Sequence, residues 1–161
     1  MTRIVTAASI TAGLILGCLP SFPAETKHLP EATLPKISAC SLVPKEQVKQ
    51  FLPWLPALDQ MAVEEEAIGT YGSSCNYPSV FIQVLPFSQG TIDSARKNGR
   101  LEPIREVGDE AYFHNNRDRY AELYVKVGTH LLTLQANVHD KIESVKPGVL
   151  GLAKLLADKL S

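Results

Sequence analysis

The side chains that could do chemistry are scattered along the chain, and their spacing limits what they can do. The four histidines are His28, His114, His130 and His139. None has the i, i+4 spacing that places two metal ligands on one helix face, so no metal site is expected. A site shared by His114 and His130 would need strands whose order alternation cannot supply. Asp109 and Glu110 follow Gly108. Such a carboxylate pair suits the acid–base work of a hydrolase. An aspartate after a turn glycine also bonds nearby backbone N–H groups, and that second role is the expectation here. Ser73 and Ser74 lack the flanking glycines of a nucleophile elbow. No glycine-rich phosphate loop occurs, and no cofactor is expected. The run Glu64-Glu65-Glu66 would bind a cation only if its members shared a face. Consecutive residues do not share one in helix or strand, so a solvated edge is expected. Arg105, Arg117 and Arg119 would make a basic rim near the central strand, with room for a small anion, although arginines of this kind are more often solvated.

The three cysteines point to a compartment. Arg3 followed by the uncharged stretch from Ile4 to Gly17 reads as a secretory signal, too short to span a bilayer. Ile15-Leu16-Gly17-Cys18 looks like a bacterial lipobox, with Cys18 lipidated as the mature N-terminus. The alternative is ordinary cleavage after Ala24 and a soluble secreted protein. Residues 18–39 carry Pro20, Pro23, Pro30 and Pro35 and read as a tether holding the domain clear of the membrane. In an exported, disulfide-permissive setting, Cys40 and Cys75 would pair and leave Cys18 for the lipid. Two buried thiols are the alternative. The bridge would close a loop of about 36 residues, worth about 3.8 kcal/mol on the chain-entropy model.

The chain has 161 residues, 45% hydrophobic and 20% charged, with a net charge of −1 and eleven prolines. That is ordinary for one globular domain, taken as residues 40–161, and nothing in the charge marks nucleic acid as a partner. The clearest element is a hairpin. Ala121, Leu123, Val125 and Val127 alternate with Tyr120, Glu122, Tyr124 and Lys126. Leu132, Leu134, Ala136 and Val138 alternate with Leu131, Thr133, Gln135 and Asn137. Gly128-Thr129 between them suits a type II′ turn. That turn pairs Val127 with His130, Val125 with Leu132, Leu123 with Leu134 and Ala121 with Ala136, so every apolar residue falls on one side.

Around this hairpin, Ser73 to Leu85 reads as two strands joined at Pro78-Ser79, and Ala111 to His114 as another. Pro44 to Leu52 reads as a short helix with Pro44 at its first position. Thr91 to Asn98 reads as a second, capped by Thr91. Lys146 to Leu160 reads as a third, with Val149, Leu152, Ala153, Leu156 and Leu160 on one face. Trp54, between prolines, is expected to cover the core edge. Residues 55–72 are ambiguous between helix and strand. The expected fold is α+β: an antiparallel sheet of about five strands covered by the C-terminal helix and shorter helices, with one disulfide.

Cys40-Ser41-Leu42, Cys75-Asn76-Tyr77 and Val107-Gly108-Asp109-Glu110-Ala111-Tyr112-Phe113 together resemble a broad group of small bacterial lipoproteins and secreted domains of unknown function. The resemblance spans roughly residues 38–160. It implies an α+β sandwich with a disulfide between the two cysteine positions, and it brings no activity with it. The functional expectation is an exported, non-enzymatic envelope domain, attached to the membrane through its lipid and binding an envelope protein or small ligand. The outer hairpin face with Tyr120, Tyr124 and Lys126 is the expected binding surface, because tyrosine offers apolar area with a polar tip. The alternatives are a hydrolase using acidic residues near Asp109 and a structural accessory subunit.

Overall fold

The hairpin lies near the middle of a larger sheet. In chain order the elements are α1 (Ala39–Leu42), α2 (Lys45–Phe51), β1 (Glu64–Ile68), β2 (Gly72–Tyr77), β3 (Val80–Pro86), α3 (Gln89–Asn98), β4 (Leu101–Ile104), β5 (Glu110–Asn116), β6 (Tyr120–Val127), β7 (His130–Asn137) and α4 (Ile142–Leu160). The computed structural model describes residues 37–55, 62–116, 119–138 and 141–161. The expected signal peptide, Cys18, the tether up to residue 36, His28, Arg117 and His139 lie outside them.

The strands form a seven-stranded sheet in the order β1-β2-β3-β7-β6-β5-β4. Every neighbouring pair is antiparallel. The β6–β7 register matches the one read from the turn, with Val127 opposite His130 and Ala121 opposite Ala136. Gly128 has φ +56° and Thr129 does not share the positive φ, as a type II′ turn requires. At the β2–β3 connection Tyr77 pairs with Val80. Ser79 supplies the left-handed residue after proline, at φ +64°, which is the pattern of a type II turn.

The sheet has seven strands rather than about five. The two additional strands, β1 and β4, are its edges. β1 begins Glu64-Glu65-Glu66 and is exposed along most of its length. β4 is four residues long and includes Pro103. Edge strands tolerate charge and proline because one side of the backbone has no neighbour to pair with, so their sequences lack the apolar alternation that marks inner strands.

One face of the sheet packs against α1, α2 and α4. Val84, Leu132, Val125 and Ala111 form a continuous row on this face. Val149, Leu152, Ala153 and Leu156 of α4 are fully buried in the same core cluster. α1 is fastened to β2 at several points. Cys40 is bonded to Cys75, with their Cα atoms 4.9 Å apart. The Ala39 N–H donates to Ser73 Oγ at 2.7 Å, and that hydroxyl donates to the Ile37 carbonyl at 2.8 Å. The Tyr77 hydroxyl donates to the Val43 carbonyl, and burial raises its pKa above the usual phenol range, with Glu46 and Glu65 adding to the effect. Lys159, near the end of α4, donates to the Leu42 carbonyl and to Gln47. Trp54 packs against this core while keeping part of its surface exposed.

Helix starts differ from the sequence reading. Pro44 is the N-cap of α2, not its first residue. Ser88 is the N-cap of α3, three residues before the expected cap at Thr91. α4 begins at Ile142, and Pro147 lies inside it. Proline is a common start signal, so a helix that continues N-terminal to one is shortened when read from sequence. The extra turn is held by the burial of Ile142 and Val145.

Candidate functional site

Directly opposed residues in antiparallel strands share a face, so the register sorts side chains into rows that run across the strands. On the core side, Cys75, Ile82, Leu134, Leu123 and Phe113 form one such row, and none is more than 2% exposed. The opposite face has a different character. One row there runs Glu64, Asn76, Phe81, Gln135, Glu122, His114. The next runs Glu66, Ser74, Gln83, Thr133, Tyr124, Tyr112. Nearly every member carries a hydrogen-bonding group. Tyr120, Tyr124 and Lys126 all lie on this face.

Helix α3 covers part of it. The Arg96 guanidinium lies 5.6 Å from the Tyr112 ring centroid. Gly99 sits so close to His114 that a Cβ added there would be 2.1 Å from the imidazole Nε2. The Lys126 ammonium lies 4.9 Å from the ring centroid of Phe87, just before the helix. Beneath this cover, Leu131, Thr133 and His114 are buried, as are Ile92 and Ala95 of α3. The chain thus supplies some of the cover that this face would otherwise take from a partner or water.

Under the end of α3, His114 Nδ1 and Glu122 Oε2 are 2.9 Å apart, and their side chains are only 8% and 14% exposed. Tyr124 is beside them. Burial raises its pKa well above the usual phenol range, and the neighbouring Glu122 carboxylate adds to the rise. Its hydroxyl, neutral at physiological pH like any ordinary phenol, can donate a hydrogen bond. Lys126 is paired with Glu110 at 3.4 Å, and the Tyr112 hydroxyl donates to the same carboxylate at 3.3 Å. Tyr120 is half-buried and has a partner of its own.

Away from α3 the face is open. Asn76, Phe81 and Gln135 are partly exposed, and Asn137 is exposed. A hollow of about 170 Å³ is lined by Asn76, Phe81, Gln135 and Asn137 together with the β2–β3 turn. A second hollow of about 320 Å³ adjoins it, lined by Ala62, Glu64, Asn76, Tyr77 and Pro78. Asn76 and Tyr77 are common to both. Sequence alternation had marked Thr133 and Gln135 as outward-facing. It could not join them to Asn76 and Phe81, because that alignment needs the β3–β7 pairing.

The remaining sequence candidates are dispersed over the fold. The Asp109 carboxylate accepts the Gly128 N–H at 2.7 Å, and the Asp109 N–H donates to the Lys126 carbonyl at 2.8 Å. Gly108 has φ +58°, and a Cβ there would lie 2.6 Å from the Lys126 carbonyl. The Gly-Asp pair is therefore a clasp on the β6–β7 hairpin, and only glycine fits its first position. His130 is opposite Val127 on the core side, and His114 is on the other face, so they share no site. Arg105 follows the β4 end that meets Ala111, whereas Arg119 adjoins the far end of β5, so these two arginines form no common rim. Glu64 and Glu66 share the polar face, and Glu65 points the other way. The Ser38 hydroxyl donates to Glu65 at 2.9 Å and holds its carboxyl below the usual range.

Among the described residues, no three of His, Cys, Asp or Glu gather as a metal site. No described helix is long and apolar enough to cross a membrane. Comparison with protein-family models, with curated proteins and with solved structures returned no match.

Proposed function

We propose that this chain is an exported, non-enzymatic cell-envelope domain that binds a small ligand or a protein through the polar face of its sheet, while a lipid on Cys18 holds it at the membrane. The observation that carries this reading is the pair of hydrogen-bonding rows across that face, only part of which α3 covers. A sheet face whose sole task was to meet water would not need tyrosines, amides and a buried His–carboxylate pair in register. The Cys40–Cys75 disulfide supports export, since such bonds persist in oxidising compartments.

The test is capture from solubilised native envelope by the wild-type chain and by Tyr120→Ala, Tyr124→Ala and Gln135→Ala, each first checked for an unchanged melting curve. Capture lost in the folded variants supports the face, and equal capture by all of them removes it. Intact mass of the mature protein reports separately on the lipid at Cys18.

A hydrolase is the second reading. The specific observation in its favour is the close His114–Glu122 pair, in which the carboxylate would orient the imidazole as a general base. Activity of the purified chain against ester, amide and glycoside panels, abolished in His114→Gln, would favour it over the binding role.

A further inference from the structure

We propose that the part of the polar face left open by α3, across β1, β2, β3 and β7, is a groove for an uncharged oligosaccharide. This deepens the binding reading above and rests on it.

The composition of the groove points to such a ligand. Asn76, Gln135 and Asn137 present carboxamides, each both donor and acceptor, which is what a chain of hydroxyl groups needs from a protein surface. Among the described residues, none of these three carboxamides is taken up by a side-chain hydrogen bond. Phe81 stands between Asn76 and Gln135 in the row. Its partly exposed ring offers a flat apolar surface to the C–H face of a sugar ring.

Charge narrows the ligand further. The row is neutral over Asn76, Phe81 and Gln135. Its nearest carboxylates are Glu64 at the outer end and Glu122, which is already paired with His114. Glu64 and Glu66 on the same face would repel phosphate, sulfate or an acidic lipid headgroup. An extended peptide is disfavoured by direction. Peptides add to sheets alongside an edge strand, parallel to it, whereas this groove runs across the strands.

The dimensions fit as well. From Glu64 on β1 to Gln135 on β7 there are three inter-strand steps, or about 14 Å at the usual strand spacing. The two hollows that meet at Asn76 lie along this line. The groove thus has room for a short run of pyranose rings, one over Phe81 and its neighbours over the amides.

The test is titration of the whole chain with chitotriose, cellotriose and maltotriose at millimolar concentration, followed by backbone amide NMR. The expected result is a set of shifts centred on Asn76, Phe81, Gln135 and Asn137 for at least one trisaccharide. Phe81→Ala and Gln135→Leu should each weaken that binding about tenfold, while Phe81→Tyr should retain it and all three should melt like wild type. No shift with any of the three, or shifts confined to other surfaces, would overturn the oligosaccharide. If envelope capture is still lost in the face variants, the binding face stands and only the ligand class is wrong. If capture is also unaffected, both fall together.

Discussion

The two faces of this sheet are built from the same strands, yet they divide the work of the molecule. On the core side, Ile82, Leu134 and Leu123 meet in one fully buried row. One residue along on the same strands, Phe81, Gln135 and Glu122 meet on the other side. The first row stabilises by removing apolar surface from water. The second presents hydrogen-bonding groups, some sheltered by α3 and others open. Most of the apolar burial is thus on one face, and the other keeps its hydrogen-bonding groups, part of them open to solvent.

The sharpest break of this comparison is at Leu134. Leu134→Ala should destabilise the fold by about 3 kcal/mol, read from the denaturant midpoint at unchanged slope. A loss below about 1 kcal/mol would mean that the core side is not close-packed there.

A second test concerns α3 as a cover. Gly99→Ala should cost about 1–3 kcal/mol, because its Cβ would overlap the His114 imidazole. The His114 ring resonances should move at the same time as its hydrogen bond to Glu122 is disturbed. Unchanged resonances with full stability would show that α3 does not press on this pair.

Alkaline pH tests the sheltered part of the polar face. The folded-state pKa of Tyr124 is raised, so its neutral form is favoured by folding. The associated stability is intact below the unfolded phenol pKa of about 10 and is lost as pH rises beyond it. Melting curves from about pH 8 to about pH 11 should therefore fall less steeply for Tyr124→Phe than for wild type. Tyr77, also raised, preserves part of the slope in the variant. Parallel curves for the two proteins would place Tyr124 in solvent.

The smallest expected effect is the complement of the first. Gln135→Ala, next to Leu134 but on the open face, should change stability by less than about 0.5 kcal/mol. A loss comparable to that of Leu134→Ala would mean that the two faces are not separate in energy.

Much of the core face was legible because two independent signals agreed. The alternation from Tyr120 to Asn137 and the glycine at 128 each specify the same pairing. The candidate site was legible only in part. Tyr120, Tyr124 and Lys126 were assignable to the outer face from their own strand, but their present partners were not. Lys126 lies over Phe87, about forty residues earlier in the chain, and no periodicity reports such a contact. The edge strands β1 and β4 were missed for a related reason. Their residues answer to solvent on one side, so Glu64-Glu65-Glu66 falls in a stretch that reads equally as helix or strand, and Pro103 in one without apolar alternation.

By itself, the sequence determined which side chains of each inner strand share a face and where the turns at Gly128 and Pro78-Ser79 fall. These are local matters, settled by a period of two and by the conformations that turn residues permit. The pairing of Cys40 with Cys75 was an expectation that the tertiary structure decided. Tertiary structure alone decided that β3 lies beside β7, which sets Phe81 opposite Gln135 and creates the polar rows. It also decided that α3 crosses that face and leaves one side of it open. Alternation tells a residue which way to point but not which strand will lie beside it, because inter-strand hydrogen bonds join the same backbone groups whatever the side chains are.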